Sequence, residues 1–294
     1  MKRSLLSQLA NAALLATAAS CAQAAINCTV SATSVTTNYV PTDVVATLAT
    51  GSYTVNCTRL ITDASSINYD LQANNGANPT TGSNNRVRLG ATADYYNYEL
   101  YRSSTINNAN RWQVANSRRF TGSVSFSGVS LIASQGPITF FVNAPAPQAE
   151  EPAGSYTDRV TMTLREDGAG NRLLDGTSTF DVTLNTVKRC IFSTAATTLN
   201  FTYTSFQTNA ALPAAASTFQ VRCTQQAPYT VALDATSGVL LGLQYNLTLS
   251  PTSEIGNSAN QNFSITGSIP AGQAGECTNN TCSGTQQRTI TISY

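Results

Sequence analysis

Twice in this chain a cysteine opens a short strand-like run, and about thirty residues later a second cysteine closes an alternating one. The first copy reads Cys28-Thr29-Val30-Ser31-Ala32-Thr33 and then Tyr53-Thr54-Val55-Asn56-Cys57-Thr58. The second reads Cys190-Ile191-Phe192-Ser193-Thr194-Ala195 and then Phe219-Gln220-Val221-Arg222-Cys223-Thr224. A further alternating run follows each second cysteine, Ile67-Asn68-Tyr69-Asp70-Leu71 and Tyr229-Thr230-Val231-Ala232-Leu233. Such an echo implies two copies of one domain. Alternation also marks Val124 and Phe126, Ile138, Phe140 and Val142, Val160, Met162 and Leu164, then Leu243, Tyr245, Leu247 and Leu249, and lastly Ile290 and Ile292. Clusters such as Asn74-Asn75-Gly76 and Pro145-Ala146-Pro147 separate these runs, which is the pattern of short strands stacked into all-β sandwiches.

The N-terminus predicts export. Lys2 and Arg3 precede an apolar run over 5–19 and the small-x-small site Ala22-Gln23-Ala24, so residues 1–24 read as a signal peptide cleaved before Ala25. That run is too short to cross a bilayer, and no later stretch reaches the roughly 18 apolar residues a membrane helix needs. Cys21 leaves with the leader, and six cysteines remain in a chain bound for an oxidising compartment, where disulfides are the default. The repeat pairs Cys28 with Cys57 and Cys190 with Cys223, each closure contributing about 3–4 kcal/mol on the chain-entropy view. Cys277 and Cys282 are left to pinch a surface loop.

Composition narrows the function. Only 11% of residues are charged and the net charge is +1, falling to about −1 once Lys2 and Arg3 are removed, so there is no basic footprint for nucleic acid. The absence of histidine removes the commonest general base, the usual serine triad and imidazole metal sites together. Glu150-Glu151 and Glu166-Asp167 lie beside proline and glycine and read as solvated loops rather than a glycosidase pair. Gly168-Ala169-Gly170 reads as a turn without the strand-loop-helix setting of a phosphate site. The expectation is a protein that is not an enzyme, with no catalytic residue, cofactor or metal.

The early cysteine, the strand ends Val55-Asn56-Cys57-Thr58 and Val221-Arg222-Cys223-Thr224, Gly154-Ser155-Tyr156-Thr157-Asp158 leading into Val160-Thr161-Met162-Thr163-Leu164, and the final Arg288-Thr289-Ile290-Thr291-Ile292-Ser293-Tyr294 together resemble the spore coat U domain of archaic chaperone-usher pilins. The second half departs from that pattern where Ser283-Gly284-Thr285-Gln286-Gln287 stands. The resemblance implies immunoglobulin-like sandwiches short of their last strand, each filled by an extended segment donated ahead of the next domain's first cysteine. It also implies three partners, a periplasmic chaperone, an outer-membrane usher and an adjacent pilin subunit, with export through the periplasm to the cell surface.

A donor-like segment, 178–187, precedes Cys190 and places Phe180, Val182 and Leu184 on one face. It reads as the missing strand of the first domain supplied within the chain, the alternative being an interdomain strand or the start of the second domain. Ahead of Cys28 stand only Ala25, Ile26 and Asn27, too few to fill a groove at about 3.3 Å per residue. The expected organisation is therefore a signal peptide (1–24), an adhesin-type domain (25–188) and a pilin-type domain (189–294) lacking its final strand. The expected role is a pilus tip subunit mediating adhesion and biofilm formation, with a secreted coat or minor shaft pilin as the alternative. Candidate surface-binding residues are Leu60, Ile61, Leu173 and Leu174, together with a loop near 102–112, on the end away from the second domain. The bland alternative is that these side chains cap the core. The ligand, whether abiotic surface, glycan or protein, is left open.

Overall fold

A computed structural model describes residues 25–79, 84–167 and 171–294. The expected leader and the turn at Gly168-Ala169-Gly170 lie outside the described residues. Eleven strands build a first sandwich: β1 (Asn27–Ala32), β2 (Val35–Asn38), β3 (Thr47–Thr58), β4 (Ser66–Ala73), β5 (Asn85–Leu89), β6 (Tyr95–Tyr101), β7 (Phe120–Ser125), β8 (Ile132–Ala144), β9 (Gly154–Glu166), β10 (Leu173–Asp175) and β11 (Thr179–Thr186). Eight build a second: β12 (Cys190–Thr194), β13 (Ser217–Cys223), β14 (Pro228–Leu233), β15 (Ser237–Leu240), β16 (Leu243–Ser250), β17 (Ser253–Ile255), β18 (Gln261–Ser268) and β19 (Ile290–Ser293). The fold is all-β, as the period-two pattern predicts.

In the first sandwich hydrogen bonding runs β1-β3-β8-β6-β5-β9-β11-β2, while β4 and β10 branch from β9 and β7 pairs with β4. The long strand β9 makes this possible. Its first part carries β11 along Gly154 to Thr161, and its last part carries β4 from Met162 to Glu166. The sheet thereby curls over a core holding Tyr53, Val55, Tyr69, Leu71, Trp112, Phe140, Val160 and Leu164. β11 also runs parallel to β2, pairing Val182 to Asn185 with Val35 to Asn38. Phe180, Val182 and Leu184 on β11 are buried, and the Phe180 ring lies 4.9 Å from Phe140 and stacks on Trp112 at 5.9 Å.

The second sandwich comprises a five-stranded sheet, β12-β13-β18-β16-β15, facing a three-stranded one, β17-β14-β19. Cys190 stands opposite Cys223 on β12 and β13, as Cys28 stands opposite Cys57 on β1 and β3. The disulfides are Cys28–Cys57, Cys190–Cys223 and Cys277–Cys282. The copies differ at the seam beside β9 and β19. Where β9 is flanked by β11, β19 pairs with β14 alone among the described residues. Where β2 follows β1, residues 195–216 form no strand after β12. Ile290 and Ile292 on β19 are consequently only half-buried, while Val160, Met162 and Leu164 on β9 are sealed. Among the described residues no strand flanks β19 on the side away from β14.

Candidate functional site

The strand directions sort the loops of the first sandwich into two ends. Thr47 and Ala144 pair at the start of β3 and the end of β8, and Gly154 pairs with Thr186 at the start of β9 and the end of β11. From that end the chain passes through residues 187–189 into β12, so the second sandwich hangs there. Arg189 and Thr224 bond each other in both directions, the Arg189 N–H donating to Thr224 Oγ1 at 3.0 Å and the Thr224 N–H to the Arg189 carbonyl at 2.9 Å. Thr224 Oγ1 also bonds Glu150 Oε1 at 3.1 Å, and Ser258 Oγ donates to the Glu150 carbonyl at 2.9 Å. Glu150 is thus a bridge between sandwiches. Glu166 pairs with Arg172 at 3.0 Å, so the two acidic pairs of the sequence serve structural bonds. Among the described residues no group of His, Cys, Asp and Glu is placed to hold a metal ion.

At the opposite end Thr58 pairs with Ile132, and two turns project. The Leu60 N–H donates to Asp63 Oδ2 at 2.6 Å and the Asp63 N–H to the Leu60 carbonyl at 3.1 Å, which closes a tight turn with Leu60 and Ile61 facing solvent. Between β7 and β8, the Ser130 N–H donates to the Ser127 carbonyl at 2.9 Å, with Gly128 at φ +51° supplying the left-handed step. Val129 is 81% exposed on that turn, and Leu131 and Ile132 beside it are exposed too. Five aliphatic side chains therefore stand uncovered at one end of the molecule. Such groups on loop tips are uncommon without a binding role.

The remaining candidates divide. Leu173 is exposed, and its neighbour Arg172 reaches the Ile26 carbonyl at 2.7 Å, which puts the β10 turn at this same end. Leu174 is half-buried and packs against the core, as the core-capping alternative has it, because adjacent residues of a strand face opposite ways. The 102–112 loop is exposed over 104–109, with Ile106 41% exposed. Its last residue, Trp112, alone enters the core, its indole N–H donating to the Leu71 carbonyl at 2.9 Å. Val129, Leu131 and Ile132 were not among the sequence candidates. Their signal was the Ser127-Gly128 pair between two alternating runs, which marks a turn rather than a continuing strand and puts the apolar residues after it on a tip.

No curated protein sequence matches the chain. Among solved structures, a chain of the CsuC–CsuE chaperone–tip adhesion subunit pre-assembly complex from Csu pili of Acinetobacter baumannii is similar at 17% identity and a TM-score of 0.43, covering 90% of this chain and 99% of that one. The CupB6 tip adhesin of Pseudomonas aeruginosa is similar at 9% identity and 0.37, covering 92% and 94%. The CssB subunit complemented with the CssA donor strand, from enterotoxigenic Escherichia coli, is similar at 15% identity and 0.28, covering 54% and 97%. The model of the Spore Coat Protein U domain matches residues 11–163 and 176–246, which is most of the chain and takes in the first two strands and the cysteine pair of both sandwiches. By that match the chain belongs to the Spore Coat Protein U domain family.

Proposed function

We propose that this chain is the tip subunit of a chaperone-usher pilus, attaching to surfaces through the aliphatic end of its first sandwich and joining the next subunit through the open seam of its second. The observation that carries the reading is the contrast between the two sandwiches. The first has β11 paired along β9 and presents Leu60, Ile61, Val129, Leu131 and Ile132 on its far end, and the second leaves an edge of β19 unpaired among the described residues. The second stretch of the family match begins at Gly176, ahead of β11, yet β11 fills the first sandwich. That is the arrangement expected when a donor strand acts within one chain.

An unpaired edge is a template for another strand, and in this reading a periplasmic chaperone covers the β19 edge before the usher hands it to an adjacent pilin. Surface export and biofilm formation follow from the same assignment. The tips are aliphatic, so dry contact at about 25 cal/mol per Å² favours an apolar surface over a glycan, whose recognition needs placed polar groups. Leu60→Ser, Ile61→Ser and Val129→Ser combined test the reading. Attachment of the mature protein to polystyrene, per folded molecule, falls several-fold while Trp112 emission stays native. Unchanged attachment sinks the adhesive assignment, and binding to a glycan array that survives the substitutions redirects it to a sugar site elsewhere.

A further inference from the structure

We propose that Arg59 is the positioning residue of the aliphatic end, pinning the Leu60–Ile61 turn to the Val129–Leu131 turn so that their side chains present one surface. The inference rests on the attachment reading above and adds the device that shapes the site. Arg59 follows the last residue of β3 and is only 8% exposed. Its main-chain N–H donates to the Leu131 carbonyl at 2.9 Å, which extends the β3–β8 ladder by one step. Its guanidinium then donates to three carbonyls: Nε to Ser130 at 3.0 Å, one terminal nitrogen to Ala64 at 3.0 Å and the other to Gly128 at 2.6 Å. Ala64 closes the first turn, and Gly128 and Ser130 belong to the second. One planar cation therefore spans both turns, and the Phe126 ring lies beneath it, 4.7 Å from centroid to guanidinium carbon.

The fork geometry matters. Three acceptors in different directions match the rigid, planar donor set of arginine, and a lysine ammonium at the same depth cannot reach all of them at once. The position is also particular to the first sandwich. Cys57-Thr58-Arg59 corresponds to Cys223-Thr224-Gln225, and the second copy has no Leu-Ile pair after it. The arginine occurs in the copy that carries the projecting apolar turn.

The test uses the full mature chain with Arg59→Lys, read by amide hydrogen exchange and by attachment to polystyrene. Exchange in residues 60–64 and 128–132 rises roughly tenfold or more, the strand core stays protected, and attachment per folded molecule falls several-fold with every apolar side chain still present. Unchanged exchange in the two turns overturns the proposal, and so does faster exchange with attachment intact. A residue that only capped the core would lower the melting temperature without uncoupling the two turns. If the Leu60/Ile61/Val129 serine variant attaches like the wild type, the attachment reading fails by itself, and exchange alone decides whether Arg59 couples the turns. Should Arg59→Lys not fold by Trp112 emission, Phe126→Leu keeps the carbonyl bonds and removes the ring beneath the guanidinium. Both readouts then move in the same direction by a smaller factor, and no movement in either overturns the proposal.

Discussion

Asp175 sits where β10 turns toward β11, and its carboxylate ties that turn to β1. Oδ2 accepts from the Val30 N–H at 3.0 Å and from Ser178 Oγ at 2.7 Å, and Oδ1 accepts from the Thr177 N–H at 3.0 Å. Burial raises the pKa of this group, but the bonds from Thr177, Val30 and Ser178 outweigh it and hold the carboxyl below the usual aspartate range. A depressed folded value means stability that is present above the unfolded pKa of about 4 and lost as pH falls through the folded one. Asp175→Asn therefore costs about 1–2 kcal/mol at pH 7, a figure kept low because the side chain is partly solvated. Trp112 is the sole tryptophan and is buried in the first sandwich, so its emission during urea unfolding reads that sandwich inside the whole chain. The gap between wild type and variant should narrow below pH 4, and a gap constant with pH refutes the assignment. At this scale the sequence was legible by residue type more than by direction. Leu60, Ile61 and Leu173 are apolar residues among turn formers and are exposed, whereas Leu174 differs from Leu173 only by facing the other side of a strand.

Among the elements, β11 was the most legible, because Phe180, Val182 and Leu184 alternate without interruption between two turn-rich stretches. Its partners were not legible. Pairing parallel to β2 joins segments nearly 150 residues apart, and period-two alternation is identical whichever sheet receives the strand. Burial gives the element an energetic signature. Leu184→Ala removes a sealed side chain and costs about 2–5 kcal/mol, whereas Ile292→Ala on half-buried β19 sits at or below the lower end of that range. Calorimetry of the mature protein, with Trp112 emission identifying the first sandwich, separates the two. Leu184→Ala lowers the tryptophan-reported transition and leaves the other in place. A tryptophan transition that stays put would mean that β11 lies on the first sandwich without completing it. The burial of Trp112 escaped sequence reading for a related reason: it arrives at the core from an irregular loop, where no periodicity announces an inward side chain.

For the whole molecule, the two-copy organisation followed from spacing alone, but the clamp of Glu150, Thr224 and Arg189 between the copies carries no sequence motif. At the seam, what separates the copies physically is the flanking strand β11. β9 has β11 beside it and seals Val160, Met162 and Leu164, and β19 has no strand on its other flank among the described residues, with Ile290 and Ile292 half-exposed. If that flank is the only structural deficit, supplying a strand should repair it. A copy of residues 178–187, joined after Tyr294 by a flexible linker of about the length that separates β9 from β11, can lie antiparallel to β19 as β11 lies against β9. Its Phe, Val and Leu would cover Ile290 and Ile292 and would offer residues 195–216 the parallel partner that β2 has in the first sandwich. Each kcal/mol gained by a domain of this size raises its melting point by roughly 4–8 °C, so even partial complementation is measurable. The tryptophan-silent transition should rise by about 5 °C or more, with the Trp112-reported one unmoved. A graft carrying Asp in place of its central valine should lose the effect, since an unpaired charge would enter the seam. If the silent transition does not move, or if the Asp-bearing graft raises it equally, the flank of β19 is not a groove for a strand and the joining half of the proposed function fails.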